Sequence, residues 1–367
     1  MEPEVGYICS VMTRPSQTLQ AVSNPPNPFH HGALEWEGPP PKVSLSIYED
    51  HSAGILSKNT SPDLPFTWSI NPYRGCMHAC AYCYARPSHQ FLDFGAGTDF
   101  DRKIVIKRAA SSLLRDAFGK ASWKGELILF SGNTDCYQPI EATHQITRSL
   151  LKVCAEYRNP VGIITKASLI ERDIDVLTEL TRHASCAVTL SIPFMDPHKC
   201  RLVEPFAPTP ARRFKTIRRL VDAGISVGVN VAPIIPGLND EDIPQILKAA
   251  RHAGATRAGH IMVRLPGPVE QVFEERIRNA FPDRADRIFH RIEDCRSGRR
   301  TDNRFGLRMH GSGAYWEAIE MLYQTTCKRL GFDSTSLDAI AHPTHATFRR
   351  PPQAGKQLSL FENDPPK

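Results

Sequence analysis

Between residues 66 and 266, short runs dense in β-branched and aromatic residues alternate with longer stretches whose apolar positions recur every three or four residues. The runs are FTWSINPY, GELILFS, VGIITKA, CAVTLSI, SVGVNVAPII and AGHIMVRLP. The amphipathic stretches predict helices over 107–118, 143–157, 173–182, 209–223 and 240–253, with a further one over 269–280. A parallel neighbour can be reached only by a crossover, and a helix is its usual form, so this repetition predicts parallel strands joined by helices. Six such units are fewer than the eight of a closed barrel. The expected fold class is therefore α/β, a partial (β/α)6 barrel of the TIM type spanning 61–282.

Outside this region the periodicity fades. Residues 1–60 are rich in Pro, Ser, Asn and Gly and read as an extended, disordered N-terminal arm with one short strand, VSLSIY. Residues 283–342 read as a small basic helical extension, and 343–367 as a flexible tail. A hydrophobic content of 41% with 23% charge is that of a globular protein. No apolar run approaches the ~20 residues that cross a bilayer, and the first residues lack the basic-then-apolar pattern of a secretion signal. The expectation is a cytoplasmic protein with no membrane partner. Its ten cysteines then read as thiols and metal ligands rather than a disulfide framework. A net charge of +6 permits a polyanionic partner.

Three of those cysteines, Cys76, Cys80 and Cys83, fall in CMHACAYC just after the first strand run. Thiolates at CxxxCxxC spacing can hold three corners of a cubane [4Fe–4S] cluster. Ordinary ferredoxin-type clusters take four cysteines. No fourth lies nearby, so one iron would stay open to another ligand. The alternative is a zinc site with His78 or His89 as fourth ligand. Zinc sites are mostly built from paired Cys or Cys/His units, and no second unit is visible here.

In parallel barrels the active site lies at the C-terminal ends of the strands. The second run is followed by Gly132, Asn133, Thr134 and Asp135, then by Gln138 and Glu141. The third ends at Thr165 and Lys166, the fourth at Ser191, the fifth holds Asn230, and the sixth carries Arg264. Each has a plainer reading: Asp135 as a helix N-cap, Lys166 as a snorkelling rim residue, Ser191 as a strand-end hydrogen bonder, Asn230 as a turn former. Together, on one rim beside three cysteines, they read as the lining of a site for a polar, zwitterionic ligand.

CMHACAYC, with Tyr82 just before its last cysteine, resembles the signature of radical S-adenosylmethionine (SAM) enzymes. The wider set NPYRGCMHACAYCYA, TDCYQPIE, ITKASLIERDIDVL, VTLSI and VAPIIPGLND resembles the spore photoproduct lyase-like branch over about residues 65–270. The resemblance implies a radical SAM barrel in which Cys76, Cys80 and Cys83 bind a [4Fe–4S] cluster and SAM chelates its fourth iron. It implies that Thr134 and Asp135 sit near SAM, with the acid facing its ammonium group, and that Lys166 pairs with its carboxylate. Ser191 would lie near the ribose or methionine portion, and Tyr84 with the segment from Asn230 to Pro236 would enclose the adenosyl group; Tyr82 belongs to the same cofactor-binding set. The implied reaction is reductive cleavage of SAM to a 5′-deoxyadenosyl radical that abstracts hydrogen from a substrate, with a flavodoxin or ferredoxin as reductant.

The family's lyases, which repair cross-linked thymines in DNA, carry a hydrogen-donor cysteine two places before the Ser/Thr–Asp pair. Here Gly132 stands there, which counts against thymine-dimer chemistry, and Cys136 is a candidate donor only if the loop turns it inward. Residues 284–308 hold eight Arg against four acidic residues, and Arg212, Arg213, Lys215, Arg218 and Arg219 form a second basic cluster. Each reads either as a nucleic-acid surface or as the wet side of a helix. Gln357, Leu358, Leu360 and Phe361 in QLSLF resemble the peptide by which bacterial replication and repair proteins dock on the sliding clamp, with Leu360 and Phe361 as apolar anchors. The first expectation is thus hydrogen abstraction from a nucleic-acid base, in DNA repair or modification. The alternatives are a radical SAM enzyme acting on a protein or small metabolite, and a non-catalytic Fe–S adaptor that binds the clamp.

Overall fold

The structure, a computed structural model, describes residues 19–22, 44–333 and 347–351. Its strands in chain order are β1 (Leu19–Val22), β2 (Ser46–Asp50), β3 (Leu56–Lys58), β4 (Trp68–Ile70), β5 (Tyr73–Arg74) and β6 (Lys103–Ile106). They continue with β7 (Ile128–Phe130), β8 (Val161–Thr165), β9 (Cys186–Ser191), β10 (Ser226–Ile234) and β11 (Arg257–Met262). Seven of them form one sheet in the order β11-β10-β9-β8-β7-β4-β3. The six from β4 to β11 pair in parallel, and β3 adds an antiparallel edge. These six are the six runs the hydrophobic pattern selects, in the expected order. Among the described residues no pairing joins β11 back to β3, in keeping with an incomplete barrel.

The strands form where they do because both faces are covered. β9, CAVTLS, is buried along its whole length, and β8, VGIIT, along most of it, as expected of parallel strands sandwiched between a barrel interior and its helices. Each crossover helix buries one stripe: Leu150 and Cys154, Val176 and Leu180, Ile217 and Leu220, and Ile243, Ile246 and Ala250; the helix after the last strand does the same with Val269, Phe273 and Ile277. Helix Pro210–Asp222 starts sharply because the Thr209 side chain caps the Arg212 amide and Pro210 occupies the first turn.

A second sheet, β1-β2-β6-β5, lies outside the sequence expectation except for β2, which overlaps the expected strand VSLSIY. The segment read as an arm with one strand supplies β1, β2 and β3. β2 runs parallel to β6 (Ile47 opposite Ile104), and β5 runs antiparallel to β6. Of its strands, β1 and β6 lie in stretches without the repeated strand–helix alternation that marked the parallel sheet. This sheet matters because β5 ends at Arg74, directly before the cysteine loop.

The chain after the barrel forms helices Ala285–Asp294 and Gly313–Leu330. Residues 347–351 fall in the segment expected to be a flexible tail, yet they lie against the domain. Phe348 stacks near Phe118 and Tyr157, and Arg350 donates to the carbonyls of Phe118, Lys120 and Trp123. Gln357, Leu358, Leu360 and Phe361 lie outside the described residues. No helix among the described residues is long and apolar enough to cross a membrane.

Candidate active site

The cysteine loop is moulded from all sides. Gly75 enters it at φ +77°, where an added Cβ would lie 2.8 Å from the Lys103 carbonyl and 2.9 Å from that of Phe100, so only glycine fits without displacement. The fully buried Gln138 clamps the loop with both ends of its amide, accepting from the Met77 amide at 2.9 Å and donating to the Gly75 carbonyl at 3.0 Å. Arg86, also fully buried, donates to the carbonyls of Cys80, Ala96 and Gly97 and pairs with Asp101 at 2.9 Å. Arg276 reaches from helix Pro268–Ala280, which follows the last strand, to the Ala79 carbonyl.

Cys76, Cys80 and Cys83 border a cavity of about 250 Å³ at the C-terminal ends of the parallel strands. Tyr82, Tyr84, Thr134, Asp135, Lys166, Ser191, Asn230 and Arg264 border the same cavity. Residues spread over 189 positions of sequence thus meet in one place, which is what the rim reading required. Parallel register explains the convergence: Ser191 and Asn230 are direct partners across β9 and β10, and β8 ends beside them at Thr165. Room for Asn230 comes from Gly259 on β11, where a Cβ would come within 3.1 Å of the Asn230 amide oxygen.

Asp135 uses both oxygens. One accepts from the Thr165 hydroxyl at 2.7 Å and the Tyr137 amide at 2.9 Å, the other from the Lys166 amide at 2.9 Å with His78 Nδ1 at 3.4 Å. Burial pushes its pKa up, but His78 and these donors outweigh burial and hold it at about 2. Lys166 extends past Asp135 toward Glu204, its Nζ 3.8 Å from the carboxylate and 5.7 Å above the Tyr82 ring. Glu204 is fully buried and takes hydrogen bonds from Tyr82 and Arg213. Burial raises its pKa, while Arg213 and Lys166 together bring it below the usual carboxylate range. Thr134 spends its hydroxyl on the Tyr73 carbonyl at 2.6 Å, and Tyr84 donates to the Gly132 carbonyl at 3.0 Å.

Two sequence candidates fall elsewhere. Cys136 is fully buried in the apolar core and does not border the cavity, so the loop does not turn it inward. A cysteine in place of Gly132 would set its Cβ 2.8 Å from that of Ser69. His89, one of the two candidate zinc ligands, lies against the Lys103 carbonyl at 2.9 Å and outside the cavity lining. Burial raises the pKa of all three thiols, so free thiolates are disfavoured there and metal binding would have to release their protons.

Glu204, Arg213 and Arg86 are the contributors that sequence reading did not assign to the site; His78, read there only as a possible zinc ligand, borders the cavity and lies against Asp135. Arg213 was grouped with a basic cluster, but it is fully buried on Glu204. The only sequence signal was its spacing with Ile217 and Leu220 on the buried stripe of its helix.

A parallel six-strand fold with a three-cysteine loop at its strand ends defines an α/β protein built around an Fe–S-type site. The Radical SAM superfamily matches residues 70–250, and the chain carries a radical SAM domain there. Members of that superfamily use a [4Fe–4S] cluster and SAM. Uncharacterized proteins of Mycobacterium bovis and Mycobacterium tuberculosis are 36% identical over 226 residues, which is 61% of this chain and 66% of theirs. An uncharacterized protein of Methanocaldococcus jannaschii is 32% identical over 171 residues, 47% of this chain and 61% of its own. Among solved structures, spore photoproduct lyase complexed with dinucleoside spore photoproduct aligns with TM-score 0.53 and 14% identity over 81% of this chain and 86% of that one. At that identity the likeness establishes the shared fold.

Proposed function

We propose that this protein is a radical SAM enzyme that abstracts hydrogen from a nucleic-acid base or nucleotide, in cytoplasmic DNA repair or modification. The observation that carries the first half is the convergence of Cys76, Cys80 and Cys83 with Asp135, Lys166, Ser191 and Asn230 on one cavity. The cluster and SAM would supply one-electron chemistry ending in hydrogen abstraction, fed by a flavodoxin or ferredoxin. The chain's own residues do the rest. The three thiolates hold the cluster, and Lys166, braced by Glu204, offers a cation for a carboxylate. Asp135 ties the ends of β7 and β8 together through Thr165 and the Lys166 amide, fixing where that cation starts. Ser191 and Asn230 present a hydroxyl and an amide on the facing wall.

The substrate class rests on the cavity mouth. The Arg264 guanidinium stands 5.7 Å over the ring of Tyr84, itself 46% exposed. Arg264 Nε is buried without a hydrogen-bond partner, and the nearby Asp63, which acts on Arg264 electrostatically, forms its own ion pair with Arg308. A planar π-surface beside a cation whose nearest acid is shared with Arg308 suits a base carrying a phosphate. Without a donor thiol at Gly132 or Cys136, the reading is modification or a repair other than thymine-dimer reversal. QLSLF fits the same setting as a clamp-docking peptide.

One observation favours the second reading, a protein or small-metabolite substrate: much of the two basic clusters is spent internally. Arg212 and Arg219 pair with Glu171, Arg213 with Glu204, Arg300 with Glu274 and Glu293, Arg304 with Asp302, and Arg308 with Asp63. Anaerobic protein reconstituted with iron and sulfide, then given dithionite and SAM, separates the possibilities. It is expected to release 5′-deoxyadenosine, and Cys80→Ala none. Formation of that product by Cys80→Ala would overturn the radical SAM reading. Deuterium passing into 5′-deoxyadenosine from labelled DNA supports the nucleic-acid substrate, and its absence from every nucleic acid offered favours the second reading.

A further inference from the structure

We propose that His260, His310 and Glu320 form a second metal site, for a single divalent first-row transition ion such as Zn²⁺, on the outer wall of the barrel. It is separate from the cysteine cavity and does not depend on the reading above. One ligand atom from each of the three residues lies within 4.8 Å of the other two. They come from three different elements. His260 is on β11, where its neighbour Ile261 borders the inner cavity, so strand alternation turns His260 outward. Glu320 comes from helix Gly313–Leu330, and His310 from the segment between.

Each arm is held. His260 Nε2 is 2.8 Å from Glu320 Oε2, and the other Glu320 oxygen accepts from Gln324 Nε2 at 2.9 Å. Such an outer hydrogen bond orients a ligating carboxylate. The backbone that carries His310 is pinned on both sides: the Met309 carbonyl accepts from the Met262 amide at 3.0 Å, and the His310 carbonyl accepts from Arg296 at 2.9 Å. The next residue, Gly311, packs so tightly that a Cβ would lie 2.6 Å from the Trp316 ring. Tyr323 and Trp316, with centroids 4.0 and 6.1 Å from that of His260, wall one side with apolar surface.

The donor set selects the ion. Two imidazoles and one carboxylate suit zinc and its neighbours, whereas Mg²⁺ and Ca²⁺ take oxygen ligands. Zn–N bonds of ~2.0–2.1 Å place neighbouring ligands about 3.3–3.5 Å apart, so the His260–Glu320 hydrogen bond of 2.8 Å would open slightly and the exposed His310 side chain would adjust to close the triangle. The ion would then fasten the C-terminal helix to β11, with a coordination position left for water.

Cluster-loaded full-length protein, equilibrated with excess Zn²⁺ and desalted, is expected to hold about one zinc beside its roughly four irons. His310→Ala and Glu320→Gln are expected to keep the iron and lose at least nine-tenths of the zinc. Zinc missing from the wild type, or retained by both variants, would overturn the site; retention would point to stray thiol binding. Should either variant lose iron as well, Co²⁺ added to the wild type decides. Visible bands of nitrogen and oxygen ligation support the site, and thiolate charge-transfer bands or no bands overturn it.

Discussion

Glu204 is the residue on which the electrostatics of the site turn. It is fully buried, it neutralises an equally buried Arg213, and it holds Lys166 at the edge of the cavity. Removing one partner of a buried pair costs about 3–5 kcal/mol, because the other charge is left without water or a counter-ion. Glu204→Gln is therefore expected to lower unfolding free energy by about that much in urea titrations. It should also weaken SAM binding by about tenfold, since Lys166 loses the anchor that aims it. A variant with unchanged stability would mean that Arg213 finds another acceptor. None of this was legible in RLVEPF, a segment with neither periodicity nor motif. The three cysteines and the strand-end polar residues could be picked out because each sits at a position with a chemical grammar: ligand spacing for the first, strand termini for the others. Glu204 acquires its role from neighbours distant in the chain: Lys166 and Tyr82 upstream and Arg213 downstream.

At the scale of elements, the loop geometry depends on Gly75 and on the small second sheet. Gly75→Ala meets two carbonyls at under 3 Å and a left-handed φ together. The backbone conformation alone costs about 1–2 kcal/mol. The expected result is a lower melting temperature and iron retention below half that of the wild type after reconstitution. Gly54→Ala, where nothing lies within 4 Å of the added atom, is the control expected to change neither. The six parallel strands and their helices were legible from periodicity because each buries a face or a stripe repeatedly along its length. The second sheet was not, since β5 and β6 contribute two and four residues and owe their conformation to pairing with each other and with β2. The same holds for residues 347–351, whose Phe348 is fixed by the aromatic rings it meets.

For the whole molecule, two buried groups set the acid limit. Burial holds the pKa of His89 down at about 4, against an ordinary value of 6.5. The unfolded chain therefore binds this proton first as pH falls: the contribution to stability is complete above 6.5 and is lost between 6.5 and about 4. Asp135, held at about 2, adds a loss below the ordinary value of 3.8. Urea midpoints measured from pH about 7 down to about 4.5 are expected to fall for the wild type by the equivalent of roughly 2 kcal/mol more than for His89→Gln. Parallel pH profiles would show that His89 stays neutral for no energetic reason.

The order of strands and helices, the cysteine trio and the strand-end polar residues were determined by the sequence alone, because repeating patterns and ligand spacings are local properties of a chain. What the tertiary structure decided was which charges are buried and who neutralises them. It turned Arg213 inward, placed Cys136 in the core, set Arg264 over the Tyr84 ring at the cavity, and brought His260, His310 and Glu320 together. The physical reason is that burial and counter-ion choice depend on contacts between distant segments, and no local pattern encodes those contacts.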